Sequence, residues 1–389
     1  MTTDALPIGR RVAHWRSRRK MSQQMFADRL GKSKSWVDKV ERGVRSLDRV
    51  STLYDVASVL RIDAAVLLGR ADSPADTIHR PAGVNRIAAA LSTYDVALGQ
   101  PAGRPMVPAD RMARTVEHAW TTFQHARYPQ VTALLPELLV QAQHTYADEP
   151  GPGRSPLMQA YRVTASLLTK LGAGELAWLA ADRAMGVAAG DREMTTIAAI
   201  QVSQALRVCD RSRAAMSTAL RAAYRAPDDA SLRGALLIQA ALAAARRGDD
   251  RKVAELLTEA DALADRVGDG HDHFRTGFGP TTVMLARAHA ALDLGAGHDA
   301  VAWHEKASTR DGWRWLATEH RAGHLVQAAR AYLQIGQPDG AGRALADAAH
   351  LAPDELRHRP HARAVLSEVV RSSHAPVTVI QLAAMLGVT

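Results

Sequence analysis

Residues 22–43 read SQQMFADRLGKSKSWVDKVERG, and this stretch decides the fold of the first part of the chain. Ser22 and Ser33 can each cap a helix, because a serine hydroxyl accepts a hydrogen bond from a free N–H of the first turn. Gly31 can end the first helix in the left-handed backbone conformation that glycine adopts without strain. Two short helices, over residues 23–30 and 34–41, are therefore predicted with a tight turn between them.

Three further helices are predicted around this pair, which gives five between residues 8 and 69. Apolar residues recur at helical spacing in the long segment that begins near Leu47. Its inward-facing residues are Val50, Leu53, Val56, Ala57 and Leu60. Asp63 can cap a short last helix. This is the layout of a helix-turn-helix, in which the second helix of the central pair lies in the major groove of DNA.

The same stretch resembles the Xre/Cro-type helix-turn-helix regulators over about sixty residues. The matching positions are Ser22-Gln23, Ala27, Leu30-Gly31, Ser33, Val37, Val40 and Glu41-Arg42-Gly43. The resemblance implies a lambda-repressor-like domain over residues 1–70. It also implies that Gln23 contacts backbone phosphate and that Lys34, Ser35 and Lys39 reach base edges. The complete predicted DNA-binding set is Gln23, Lys32, Ser33, Lys34, Ser35, Trp36, Lys39, Arg42 and Arg45.

Two residues depart from the family pattern. Met25 stands where a glutamate often completes a capping box with the serine at the start of the helix. Trp36 stands where a small polar residue is common. Its indole could lie against a thymine methyl group or a sugar, or it could pack back on the protein. Both readings of Trp36 are open at the level of the sequence.

Positive charge is concentrated in the same part of the chain. Residues 1–70 contain 15 Lys or Arg and 7 Asp or Glu, a net charge of +8, while the whole chain carries +9. Arginine is common throughout the sequence, so the lysines carry more information. Four of the seven lysines lie here: Lys20, Lys32, Lys34 and Lys39. A basic charge confined to one small domain is typical of a surface that binds phosphate backbones.

The remaining composition restricts the class of protein. A chain of 389 residues is long enough for two or three units. No apolar run is long enough to span a membrane. The basic residues near the N-terminus are not followed by the apolar stretch of a signal peptide, so we expect no membrane partner. The single cysteine, Cys209, permits no internal disulfide. A reducing, cytoplasmic location is therefore expected.

An internal repeat follows from residue 110 onward. A turn residue is followed by alanine at five and twelve positions further on, first at Gly172 and again at Asp210, Gly295 and Gly336. Looser copies start at Tyr128 and Gly248. This spacing resembles tetratricopeptide (TPR) repeats, pairs of antiparallel helices that stack on one another. The alternative is an unrelated α-helical domain in which alanines recur because they are abundant.

The predicted fold is thus all-α, with a five-helix helix-turn-helix domain over 1–70 and a TPR-like α-solenoid over 110–389. Residues 71–109 are expected to be a linker that contains one helix, over residues 84–98, with Val84, Ile87, Leu91 and Leu98 on its apolar side. The order of the two domains resembles that of a group of actinobacterial transcriptional regulators.

A solenoid of this type presents the first helix of each pair on its concave side. Counting back from the turn residues places eight polar residues on that side: Gln159, Arg162, Lys170, Gln204, Arg207, Thr282, His289 and Arg330. They are candidates for binding a peptide or an anionic small molecule, and a solvated polar face is the alternative. Peptide-sensing relatives commonly hold the peptide backbone with asparagine. The one asparagine of this chain, Asn85, lies outside the predicted solenoid.

No pattern of catalytic chemistry is present. The sequence has no glycine-rich phosphate loop, nucleophile elbow or paired-carboxylate signature, so we predict no catalytic residues, no cofactor and no enzyme activity. His271-Asp272-His273 lacks a third ligand at metal-binding spacing, which favours a polar turn over a metal site. Core packing is predicted, with a ligand pocket as the alternative, for Trp303, Trp313, Trp315, His304, His320 and His324.

Two functions are compatible with these patterns. The first is a sequence-specific transcriptional regulator that binds a double-stranded DNA operator as a homodimer. Its solenoid would respond to a small-molecule or peptide effector and change the spacing of the two DNA-binding units. The second is a TPR protein-interaction scaffold with a subsidiary helix-turn-helix. The two differ in their expected DNA affinity and in its dependence on salt.

Overall fold

The computed structural model describes residues 7–19, 21–47, 50–60, 82–96, 98–99, 107–226, 229–372 and 377–388. Regular secondary structure in these ranges is helical throughout, which confirms the predicted all-α class. Contacts divide the chain into two compact units, Met1–Ala82 and Gly83–Thr389. The predicted boundaries at residues 70 and 109 remain predictions.

The first unit consists of four described helices around a small core. They are α1 (Ile8–Arg18), α2 (Gln23–Leu30), α3 (Lys34–Glu41) and α4 (Val50–Leu60). The core is built from Val12, Phe26, Ala27, Val37, Leu53, Val56 and Leu60, among others. Four of the predicted inward-facing residues, Leu53, Val56, Ala57 and Leu60, belong to this core, and the side chain of Val50 lies outside the described residues. The predicted fifth helix, which Asp63 would cap, lies outside the described residues.

Gly9 sets how closely α1 approaches α3. A Cβ atom at Gly9 would lie 2.0 Å from the backbone carbonyl oxygen of Val40. Backbone cannot swing aside as a flexible side chain can, so the two helices would have to separate. Gly9→Ala is expected to destabilise this unit by about 1–3 kcal/mol, the usual cost of overpacking a core. Hydrogen exchange of the α3 backbone amides in the intact protein would measure it, and unchanged protection would contradict the expectation.

The second unit is a series of helix pairs. The six first helices are α6 (Ala109–Gln124), α8 (Pro150–Lys170), α10 (Arg192–Val208), α12 (Ala230–Ala245), α14 (Pro280–Asp293) and α17 (Thr318–Gln334). Their second helices are α7 (Tyr128–Asp148), α9 (Gly174–Ala188), α11 (Ser212–Arg225), α13 (Asp250–Val267), α15 (Gly297–Ser308) and α18 (Pro338–Leu351). Seven of the eight alanines at the strict repeat positions, Ala177 and Ala184 among them, are buried, and Ala222 is half-buried. The helical-repeat architecture is thereby confirmed.

The turns between paired helices use the left-handed backbone region. Gly172, Gly248, Gly295 and Gly336 have φ values of 74°, 72°, 83° and 73°. In the third pair Asp210 takes this conformation at φ 56°. These are the turn residues that the repeat predicts, except in the first pair.

The predicted register of the first pair was wrong. Its left-handed residue is Ala126, at φ 57°, and Tyr128 already begins α7. The small-residue positions therefore fall on Val131 and Leu138, which are fully buried. Ala133, which the predicted register placed at a helix crossing, is exposed.

The helix predicted within the linker, α5 (Ala82–Leu91), belongs to the core of the second unit. Val84, Ile87 and Leu91 are buried with residues of α6, α7 and α8. The sequence pattern extended this helix to residue 98. The described helix ends seven residues earlier, and Leu98 is 73% exposed rather than on the buried side.

Four helices outside the pairs complete the described chain of this unit. They are α16 (Gly312–Trp315), α19 (Pro353–His358), α20 (Pro360–Arg371) and α21 (Val377–Leu386). Helix α19 packs back against α7 of the first pair. The loop over residues 268–279, between α13 and α14, also reaches the first two pairs. There the Gln124 amide donates a hydrogen bond to Asp272 Oδ2 at 2.6 Å.

No helix in the described part of the chain combines the length and the apolar composition needed to cross a lipid bilayer.

Candidate functional sites

The pair α2–α3 has the capping geometry that its sequence predicts. The Ser22 hydroxyl accepts a hydrogen bond from the Met25 N–H at 3.1 Å. The Ser33 hydroxyl accepts one from the Trp36 N–H at the same distance. Gly31 ends α2 at φ 61° and ψ 34°, in the left-handed region. Together these caps fix where α3 begins and therefore which of its side chains point outward.

The outer face of α3 carries polar and basic side chains. Lys34, Ser35 and Lys39 are exposed, while Val37 and Val40 on the opposite face are buried. The remaining predicted residues around it, Lys32, Ser33, Arg42 and Arg45, are exposed as well. Asp38 forms an exposed ion pair with Arg42 at 2.6 Å. The structure thus places the predicted DNA-binding residues of α3 on one open surface.

Trp36 is partly buried. Its side chain packs against the core of the first unit, and part of it remains at the surface. Of the two contacts that the sequence leaves open for Trp36, the structure shows packing against the protein.

Glu41, at the end of α3, joins the first three helices. Its carboxylate accepts hydrogen bonds from Arg16 Nε at 2.6 Å and from Arg16 Nη2 at 3.0 Å. Arg16 Nη1 also donates to the carbonyl oxygen of Met21 at 2.7 Å. The Gln23 amide donates to Glu41 Oε2 at 2.9 Å. The predicted phosphate contact of Gln23 stays a prediction, and the structure adds an internal role for this side chain.

A cavity of about 610 Å³ lies inside the second unit. Six of the eight residues predicted for the concave side line it: Lys170, Gln204, Arg207, Thr282, His289 and Arg330. Its wall also includes apolar side chains, among them Phe123, Ile238, Leu242 and Phe278. A volume of this size suits a small organic ligand. That any of these residues binds an effector remains a prediction.

The other two predicted residues, Gln159 and Arg162, do not line this cavity. Arg162 is 0% exposed, and its guanidinium donates to Gln201 Oε1 at 2.7 Å and to Gln159 Oε1 at 2.9 Å. Its Nη2 donates to the Phe274 carbonyl oxygen at 3.0 Å. Burial, and to a smaller extent the nearby charge of Arg275, lower the pKa of Arg162 to about 9. These contacts hold the loop over 268–279 in place, so their role in the structure is internal.

The buried carboxylate of Glu355 connects α19 with the first two helix pairs. Glu355 of α19 is 0% exposed and accepts hydrogen bonds from the Tyr128 hydroxyl and from Arg359. Lys170 Nζ lies 3.3 Å from Glu355 Oε1 and 2.7 Å from Glu319 Oε2. Burial and the charge of Glu355 raise the pKa of Tyr128 well above its ordinary value, so its hydroxyl stays protonated and donates.

The predicted aromatic cluster is smaller than its sequence suggests. The rings of His304 and His324 lie 5.1 Å apart, and a ring nitrogen of each is within 3.0 Å of the other. Trp313 packs edge-on against His324. Trp303 instead lies under the cations of Arg287 and Lys306. His320 lines the cavity. Trp315 is 72% exposed and takes no part in the cluster.

The His271-Asp272-His273 segment forms a polar loop. Asp272 Oδ1 accepts a hydrogen bond from the backbone N–H of Gly277 at 2.7 Å, and Oδ2 accepts the one from the Gln124 amide. The two imidazole rings stack 5.9 Å apart. Among the described residues, no group of three or more His, Cys, Asp or Glu side chains is placed to hold a metal ion.

Fold and surface together define a helix-turn-helix protein with a helical-repeat domain after it. Residues 7–68 match the family described as "Helix-turn-helix domain". No curated protein matches the chain. Among solved structures the chain is similar to a crystal structure of Bacillus thuringiensis PlcR in complex with the peptide PapR7 and DNA. That alignment has 11% identity and a TM-score of 0.39, and it covers 95% of this chain and 100% of that chain.

Proposed function

We propose that this protein is a sequence-specific transcriptional regulator that binds a double-stranded DNA operator. The exposed face of α3 carries the proposal, because capped helices present Lys34, Ser35 and Lys39 together on the second helix of a helix-turn-helix. In this class of domain that helix lies in the major groove, where lysine can donate to the O6 and N7 acceptors of guanine. The net charge of +8 over residues 1–70 supports binding to the phosphate backbone.

Within the proposal, residues around α3 divide into two roles. Lys34, Ser35 and Lys39 read base edges, and the exposed basic residues Lys32, Arg42 and Arg45 contact phosphates. The caps at Ser22 and Ser33 hold the helix in the orientation that such contacts need. No reaction, cofactor or metal is assigned to the protein, and its place of action is the cytoplasm.

We further propose that the helical-repeat domain forms a homodimer and responds to a small-molecule or peptide effector. Regulators with a helix-turn-helix commonly bind two half-sites whose spacing matches the protein dimer. An effector that favours one arrangement of the dimer would change how well that spacing is matched. The cavity lined by six predicted concave-side residues supports the location of the effector within this domain.

Lys39→Ala tests the role of α3. We expect operator affinity to fall by about 1–3 kcal/mol and sequence preference to relax at one base pair, because a bidentate contact to guanine is lost. The operator comes from selection of genomic fragments bound by the purified protein, and affinities are then measured over a panel of single-base variants. Lys306→Ala removes an exposed lysine of the second unit and is the matched control. Unchanged affinity across the panel for Lys39→Ala would refute the role.

Salt dependence separates this function from that of an interaction scaffold. A specific regulator should lose affinity steeply as salt rises and should prefer its operator over random DNA by roughly a thousandfold or more. A scaffold with a subsidiary helix-turn-helix would bind all DNA weakly and have a tight protein partner. Comparable weak binding to operator and random DNA would therefore favour the scaffold.

A further inference from the structure

The cavity of the second unit contains more positive than negative charge. Six cationic side chains line it: Lys170, Arg207, Arg246, Arg275, Arg330 and Arg359. Two carboxylates, Asp210 and Glu319, line the same wall. Lys170 and Arg359 are already paired with glutamates, Arg275 is paired with Glu117, and Arg246 Nη1 lies 3.2 Å from Asp210 Oδ1. The unbalanced charge therefore lies around the other arginines.

Arg207 and Arg330 have no ion-pair partner among the described residues. Arg207 Nη1 is buried and has no hydrogen-bond partner in the described structure. Arg330 Nη1 donates to the neutral amide oxygen of Gln327 at 3.0 Å. A buried N–H group such as that of Arg207 Nη1 is costly when it has no acceptor, since it has lost its hydrogen bonds to water and gained none in exchange. The two side chains come from α10 and α17, so the fold brings them to one cavity from distant parts of the sequence.

A second carboxylate, Asp293, lies near these arginines and balances their charge poorly. Asp293 Oδ2 lies 3.9 Å from Arg246 Nε and 3.8 Å from His289 Nε2, and it has no hydrogen-bond partner in the described structure. Burial raises the pKa of Asp293, although the surrounding arginines act in the opposite direction. Burial and the charges of Arg207 and Arg330 lower the pKa of His289 well below its ordinary value. His289 is thus neutral at pH 7 and can donate a hydrogen bond without adding charge.

Apolar side chains form the rest of the wall. Ile238 and Leu242 of α12, Leu285 of α14 and Phe278 of the preceding loop face the cavity. Phe278 packs directly on Gly234, where an added Cβ would lie 2.0 Å from the ring. An apolar wall with a few convergent polar groups is the usual construction of a site for a small organic ligand.

We propose that this cavity binds a small organic anion with an apolar body. Its carboxylate or phosphate group is held by Arg207 and Arg330, with His289 beside it, and its body lies against Ile238, Leu242 and Phe278. The ligand supplies the anionic partner that the two guanidinium groups lack among the described residues. The proposal deepens the proposed function, because it gives the chemical class of the effector. A regulatory role for this cavity rests on the proposed function, whereas binding of the anion does not depend on it.

The first test uses 8-anilinonaphthalene-1-sulfonate, an anion with an aromatic body, and the full-length protein. We expect one site per chain in a calorimetric titration. Arg207→Gln and Arg330→Gln should each weaken binding about tenfold or more, because each removes charge-assisted hydrogen bonds to the anion. Arg221→Gln, at an exposed position on α11, is the matched control and should bind like the wild type. Equal affinity of all four proteins would overturn the proposal.

A competition series on the wild-type protein tests the proposal without any variant. Phenyl phosphate and 4-phenylbutyrate should displace the probe, and the stronger competitor identifies the anionic group that the site prefers. The matched neutral and cationic compounds, 4-phenylbutanol and 4-phenylbutylamine, should not displace it. Displacement by all four compounds alike, or no saturable probe site, would show that the cavity does not select anions.

Operator binding in the same samples separates the two proposals. Anion binding without specific DNA binding would leave the site standing and refute the regulator. Specific DNA binding without anion binding would refute the site and leave the regulator standing. If both are present, operator affinity measured with and without the preferred anion tests the link between them, and coupling in one direction requires the same coupling in the other.

Discussion

Replacing Glu41 by alanine is expected to unfold most of the N-terminal domain. The carboxylate is 6% exposed and forms two hydrogen bonds with Arg16, whose side chain is itself largely buried. Removing one partner of a buried ion pair leaves the other charge uncompensated and costs about 3–5 kcal/mol. A domain of about sixty residues has a total stability of roughly 3–9 kcal/mol at 0.05–0.15 kcal/mol per residue. The loss is therefore comparable to the whole stability of the domain.

Hydrogen exchange measured by mass spectrometry on the full-length protein resolves this effect. Peptides from α1, α2 and α3 should lose protection in Glu41→Ala, while peptides from the helical-repeat domain should not change. Asp38→Ala is the matched control on the same helix, because its exposed ion pair with Arg42 contributes only about 0–1 kcal/mol. Retained protection in Glu41→Ala would show that the Arg16–Glu41 pair does not hold the domain together.

Local sequence patterns predict the helix caps of α2 and α3 but not the ion pair that holds α3 against α1. The caps at Ser22 and Ser33 depend on residues three positions apart, and they were predicted correctly. The Arg16–Glu41 pair depends on how α1 crosses α3, 25 residues further along the chain. No spacing rule connects those positions, so the residues that hold α3 in place were missed while those on its outer face were found.

The repeat was predictable for a related reason. Glycine and aspartate at the turns mark five of the six helix pairs, because glycine, and less often aspartate, adopts the left-handed backbone. In the first pair an alanine takes this conformation, against its steric preference. The turn was therefore assigned two residues too late, to Tyr128.

The candidate cavity was partly predictable. Counting back from the turns finds residues on the inner face of each first helix, and six of the eight line one cavity. Gln159 and Arg162 differ because their hydrogen bonds are internal: Gln159 accepts from Trp120 and Arg162, and Arg162 also donates to the Phe274 carbonyl of the loop over 268–279. Arg246, Arg359 and Phe278 were not predicted, since they lie at helix ends or in loops whose position depends on the tertiary fold.

Glu355→Gln is expected to be the most damaging single change in the helical-repeat domain. The carboxylate binds Tyr128 of the first pair together with Lys170 and Arg359, so it connects helices 227 residues apart in sequence. Glutamine cannot balance the charge of Arg359, which is largely buried and has no other ion-pair partner among the described residues. We expect a loss of about 3–5 kcal/mol, as for other buried ion pairs from which one member is removed. Lys170 keeps its pair with Glu319 in the variant, which places the damage at Arg359 and Tyr128.

The pH dependence of stability provides a second signature of Glu355. Burial alone would raise its pKa, but the charges of Lys170 and Arg359 and the hydrogen bond from Tyr128 lower it below the ordinary 4.5. Its contribution is therefore complete above about pH 4.5 and is lost as the pH falls through the lowered pKa. Urea unfolding of the full-length protein at pH 7 and at decreasing pH should show this loss in the wild type and not in Glu355→Gln. Glu175→Gln, which removes an exposed pair with Arg211, should follow the wild type at every pH. Equal unfolding midpoints for the wild type and Glu355→Gln at pH 7 would mean that the buried network contributes no net stability.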